Sequence, residues 1–220
     1  MDTLYTEETF IHELVNIINK TNDLYITHGA RSSKKVDNFH SEIKRIIENI
    51  ITHKKLDGIY EIKLEQIIKS KNSSGQKKCD IVVYKNKNPF IIMPVKIIMS
   101  SYKKNKYNYQ ENLTGELCHL VWHPDNKNIH IIPINVFMNK IICMNTDGLI
   151  KSVEILDHKD MTFYDILEEK LNVKVVNYIV DVTHCCEIGT KFDKCPIINS
   201  ISTSNDKKLL TIIDELICKW

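Results

Sequence analysis

Hydrophobic and polar positions alternate along this chain with two distinct periods. From Glu7 to Lys20 the apolar residues Phe10, Ile11, Leu14, Val15, Ile17 and Ile18 recur at helical spacing, and Thr6 stands where an N-cap belongs. A polar link, THGARSSKK, leads to a second helical stripe over Val36–His53, carried by Val36, Phe39, Ile43, Ile46, Ile47 and Ile50. The Asp57-Gly58 turn signal then introduces a strand over Tyr60–Ile68. After the loop SKNSSGQKK come two strands, Cys79–Tyr84 and Pro89–Met99, separated by KNKN as in a hairpin. Tyr107–Trp122 is expected to be helical despite Gly115, with strands at Ile129–Phe137 and Lys140–Met144. A helix over Thr162–Leu171, a strand over Val173–Val182 and a helix over Asp206–Ile217 complete the pattern.

That order predicts an α/β fold, and 220 residues without repeat, low-complexity tract or linker fit one domain over 1–220. No run approaches the roughly 20 apolar residues of a membrane span. The first ten residues lack the basic and apolar regions of a signal peptide, and the seven cysteines are irregularly spaced. Reduced thiols in an intracellular, cytoplasmic or nucleus-like compartment are expected. The net charge of +2 says little about partners, but from Lys63 to Lys106 eleven lysines face two acids, Glu65 and Asp80. Such a stretch can follow a phosphate backbone.

The chemistry concentrates between Gly75 and Glu116. Asp80 opens one strand of the hairpin and Lys96 lies inside the next, within the apolar run FIIMPVKIIM. Side chains on neighbouring antiparallel strands can meet on one face. A lysine in such a run must snorkel, pair with a carboxylate or act chemically. An acid that holds a divalent ion beside a cation that orients water is the combination metal-assisted phosphodiester hydrolysis requires.

The aspartate, the hairpin and the lysine in a hydrophobic strand resemble the PD-(D/E)xK nuclease core, and the element order resembles its restriction-endonuclease-like αβββαβ topology. The likeness covers about Val36–Phe137, including the segment SSYKKNKYNYQENLTGE, and leaves residues 145–220 as a C-terminal extension. Two positions depart from the motif. Pro94 stands where the second carboxylate is usual, and Cys79 where the proline before the aspartate is usual. The resemblance implies a Mg²⁺-dependent DNA endonuclease, with Mn²⁺ as substitute, of the type II restriction kind, cutting duplex DNA as a homodimer. Asp80 and Glu111, with the Val95 carbonyl, would bind the metal. Lys96 would orient the attacking water, Glu116 stands second to Glu111, and Glu42 matches the family's helical glutamate. Lys103, Lys104, Asn105 and Asn108 are candidate DNA contacts, and Arg31, Ser33 and Lys34 a candidate phosphate site. The alternatives are a DNA-binding module of this fold that has lost catalysis, and a structure-selective repair or recombination nuclease. The THCCEIGTKFDKC segment fits zinc spacing poorly, and HLVWH lacks the glutamate of a metalloprotease motif.

Overall fold

The computed structural model describes residues 5–29, 32–204 and 206–217. Helices α1 (Glu7–His28) and α2 (Lys34–His53) come first, and the Thr6 hydroxyl accepts from the Thr9 amide as the N-cap of α1. Strands β1 (Tyr60–Lys69), β2 (Gln76–Lys85) and β3 (Asn88–Met93) follow as an antiparallel meander. The expected single strand over Pro89–Met99 is two: β3 ends at Met93, and β4 (Val95–Ser100) belongs to a second sheet. Proline at 94 has no amide to give the ladder, which is why the strand breaks there.

Helix α3 (Tyr102–Val121) starts five residues earlier than its apolar pattern suggests. It leads to the short β5 (His130–Ile131) and the long β6 (Ile134–Met144). The second break falls at Pro133. Ile92 faces Ile131 and Val95 faces Ile134 at the same offset, so the two prolines lie opposite each other where paired chains pass from sheet to sheet. Beyond β6 lie β7 (Ile150–Ile155), α4 (Thr162–Leu171), β8 (Val176–Thr183), β9 (Ile197–Thr203) and α5 (Leu209–Ile217). The first sheet runs β1-β2-β3-β5 and the second β4-β6-β8-β9, with β7 on β6. Both are mixed sheets flanked by helices.

Alternation assigns the two helical layers. In the central pair β6–β8, Val136 faces Tyr178 and Phe137 faces Ile179, so Tyr178 and Phe137 project to opposite sides. The Tyr178 ring meets Phe10 of α1, and its hydroxyl accepts from the Leu209 amide of α5. Phe137 meets Tyr102 of α3 and Tyr164 of α4 edge-on. Among the described residues, one apolar cluster joins both sheets and the helices α1 to α5. Residues 145–217 contribute three of the five strands of the second sheet.

Truncating Phe137, which is fully buried between two tyrosines, should cost about 3–5 kcal/mol. Urea unfolding of Phe137→Ala is expected to show that loss, whereas Ile197→Ala on the exposed edge strand should stay within about 0.5 kcal/mol.

Candidate metal centre and its lysine partner

Where β3 gives way to β4, the chain leaves the side of β2. Pairing between β2 and β3 ends at Ile81–Met93, so among the described residues those at 76–80 of β2 pair only with β1, and a fork opens between them and β4. Asp80 stands at the vertex. Its Oδ2 accepts the Val95 amide at 2.8 Å, which satisfies a donor that the broken ladder would leave unpaired.

Beside Asp80 the structure gathers two residues that the sequence did not single out. One donor atom each from His40, Glu65 and Asp80 lies within 4.8 Å of the others. Donors about 2.0–2.2 Å from one ion sit up to about 4.4 Å apart, so small side-chain adjustments would turn the cluster into a coordination set. His40 comes from α2 and is 4% exposed. Its Nδ1 is 3.5 Å from Glu65 Oε1, and its Nε2 is buried without a hydrogen-bond partner among the described residues. Burial lowers the ring's pKa against the opposing pull of the Asp80 and Glu65 carboxylates, which favours the neutral imidazole that a metal needs.

Glu65 bears two energetic costs at this point. Its neighbours pair as Leu64–Ile81 and Gln66–Cys79, so it faces Asp80 across the strands, carboxylate against carboxylate. Its φ of +56° is left-handed, a conformation that costs a non-glycine residue on the order of 1–3 kcal/mol. An ion pair with Lys78 offsets part of the repulsion. Strain and like charge at one position mark a site rather than ordinary strand surface.

Lys96 lies on the other flank of the fork. Its Nζ is 3.4 Å from Glu116 Oε2, and Lys77 Nζ is 3.6 Å from Glu116 Oε1. Among the described residues, then, Lys96 pairs with a glutamate of α3 and not directly with Asp80, which turns towards α2. The expected meeting on one face is replaced by a seam, and the physical reason is the strand break at Pro94. The two remain neighbours: Asp80 binds the amide immediately before Lys96, and the Lys96 charge acts on His40. Cys79, in the place of the motif's proline, is buried near Glu116 and Asp80. Burial first, and then those carboxylates, push its thiol up to about 12, so it stays protonated.

The remaining expected residues fall elsewhere. Glu42 accepts from Arg45 Nε at 2.9 Å and lies outside the donor cluster, because the inward position on α2 goes to His40. Glu111 is exposed at the rim of a cleft beside Lys96, and Glu116, one and a half turns further, is the glutamate that reaches inward. The expected set of Asp80, Glu111 and the Val95 carbonyl is therefore not assembled; Val95 contributes its amide, to Asp80. Lys103, Lys104 and Asn108 are exposed on the first turns of α3, while Asn105 donates to the Ser101 carbonyl. Ser33 donates to Asp37, and Lys34 is exposed beside it. Arg31 lies outside the described residues. His40 and Glu65 did leave a trace in sequence: a histidine inside the apolar stripe of α2, and one of only two acids in a lysine-rich stretch.

Removing the shared carboxylate in Glu116→Gln should destabilise the fold by about 1–3 kcal/mol, since two half-buried ammonium groups lose their partner. In a double-mutant cycle with Lys96→Met, the two losses should fall short of additive by at least about 0.5 kcal/mol.

No family model matches the chain, and no curated protein matches it. Among solved structures it is similar to Pyrococcus furiosus SfsA in complex with Ca²⁺, at 10% identity and a TM-score of 0.31. The match covers 73% of this chain and 61% of that one, and at that score it carries no argument about this chain.

Proposed function

We propose that this protein is a divalent-metal-dependent hydrolase of phosphodiester bonds in nucleic acid, built on a restriction-endonuclease-like core. The observation that carries the reading is the cluster of His40, Glu65 and Asp80 beside Lys96 at the fork between β2 and β4. The order of α2, three antiparallel strands, α3 and a parallel strand supports it at the level of topology.

His40, Glu65 and Asp80 would hold the ion. An imidazole beside two carboxylates suits Mn²⁺ better than Mg²⁺, which prefers an all-oxygen shell. When bound, the ion supplies positive charge to the phosphoryl oxygens and lowers the pKa of a bound water. The chain's own groups do the positioning. Asp80 keeps one oxygen on the Val95 amide, which fixes the orientation of the other. Lys96 would offer an ammonium to the charge that develops on the phosphate, and its ion pair with Glu116 keeps that ammonium aimed. Lys103, Lys104 and Asn108 offer exposed donors for the neighbouring backbone.

A second reading, a nucleic-acid-binding module without catalysis, draws support from one observation: Glu116 already engages both Lys96 and Lys77. The two readings part on metal titration and cleavage. Calorimetry should find one Mn²⁺ site that Asp80→Asn, Glu65→Gln and His40→Ala each weaken at least about tenfold, roughly 1.4 kcal/mol. Glu42→Gln and Glu111→Gln should leave it unchanged.

With Mn²⁺ and labelled DNA, Lys96→Met should slow cleavage by about 10²–10³. Binding of DNA with no hydrolysis under any divalent metal would establish the second reading instead.

A further inference from the structure

Helix α3 carries a glycine at 115 in its interior, a placement that costs a helix about 1 kcal/mol relative to alanine. A Cβ built there meets nothing within 4 Å. The space it faces is a cleft of about 540 Å³ between α3 and the open half of β2, with Lys96 in its wall. This volume lies within the range of small-molecule sites.

The lining does not look like a phosphate trap. Lys77 and Lys96 are balanced by Glu111 and Glu116, so the cleft carries little net charge. What remains is amide and ring: Asn112, Tyr109 and His119, while the Asn72 amide is engaged by Ser74 and Gln76 in the turn that leads into β2. Tyr109 is half-buried and stacks on Tyr102, and His119 keeps a buried Nδ1 with no partner among the described residues. The exposed Asn112 amide and Glu111 carboxylate can read a base edge, and beside them stand rings on which a base can stack, which is the chemistry of nucleobase recognition. A double helix is read by an element that projects into its groove, which a concave pocket cannot do.

We infer that this cleft seats one unstacked nucleobase of the substrate, so that the strand presented to the His40–Glu65–Asp80 cluster is single-stranded or locally opened. The inference rests on the proposed hydrolase reading and narrows its substrate: not an intact duplex, as the sequence resemblance implies, but a strand with at least one base free to leave its stack. Lys96 links the two places, since it lines the cleft and follows the amide that Asp80 holds. The free base can come from a single strand or be flipped out of a duplex, and the probes separate these sources.

Binding is measured by fluorescence anisotropy in EDTA, with a labelled 12-mer single strand, the same sequence as blunt duplex, and the duplex with one central unpaired base. The single strand should bind at least about tenfold more tightly than the blunt duplex, as expected for stacking of one base. If the duplex with the unpaired base binds like the single strand, the cleft takes flipped bases; if it binds like the blunt duplex, the cleft takes single strands. Gly115→Leu projects a side chain into the cleft while improving helix propensity. It should abolish the single-strand preference without lowering the melting temperature or Mn²⁺ affinity. Equal affinity for single strand and blunt duplex, or a preference that survives Gly115→Leu, would overturn the inference. Mn²⁺-dependent cleavage of blunt duplex without cleavage of single strand would overturn it too, yet leave the hydrolase reading standing. Single-strand preference without hydrolysis would do the reverse.

Discussion

One hydrogen bond, from the Val95 amide to Asp80 Oδ2, sets the arrangement at the centre of this molecule. Proline at 94 ends the antiparallel ladder, and the next amide finds its acceptor in a side chain, the Asp80 carboxylate. Asp80 supplies it from the last residue of β2 before pairing with β3 begins. The same contact closes the fork at its vertex and fixes a carboxylate beside His40 and Glu65. A residue with a structural duty thereby acquires a fixed orientation, which is what a metal ligand requires.

The fork also explains why the candidate chemistry divides between two helices. On one side α2 brings a buried histidine over two facing carboxylates. On the other, α3 brings a buried glutamate between two lysines. Each arrangement would be costly alone: like charges opposed with a strained backbone in the first, a desolvated carboxylate in the second. Opposite charge from β2 and β4 relieves both, through Lys78 for Glu65 and through Lys77 and Lys96 for Glu116.

Much of this was legible in the residues. The α2 stripe, the antiparallel strands β1 to β3 and the helix α3 follow from apolar period and turn chemistry, whereas the expected pairing of the Asp80 strand with the Lys96 strand gives way to two separate sheets. The strand break was hidden because FIIMPVKIIM is apolar on both sides of Pro94, and periodicity does not register a missing donor. The edge strands β7 and β9 were hidden for the opposite reason, being half exposed with little apolar contrast. The family resemblance placed Glu42 near the metal, yet two residues, about 200° of helical rotation, separate it from His40, and only the packing of α2 on the sheet decides which of the two faces inward. Glu65 escaped notice because its role comes from the residue across the ladder, a relation that no local pattern encodes.

Crystals soaked in Mn²⁺ and measured for anomalous scattering address the central claim most directly. A single strong peak about 2.0–2.3 Å from a ring nitrogen of His40 and from carboxylate oxygens of Glu65 and Asp80 is the predicted result. A peak held by Asp80 with Glu111 and without His40, or no peak at the fork at saturating Mn²⁺, would contradict the account.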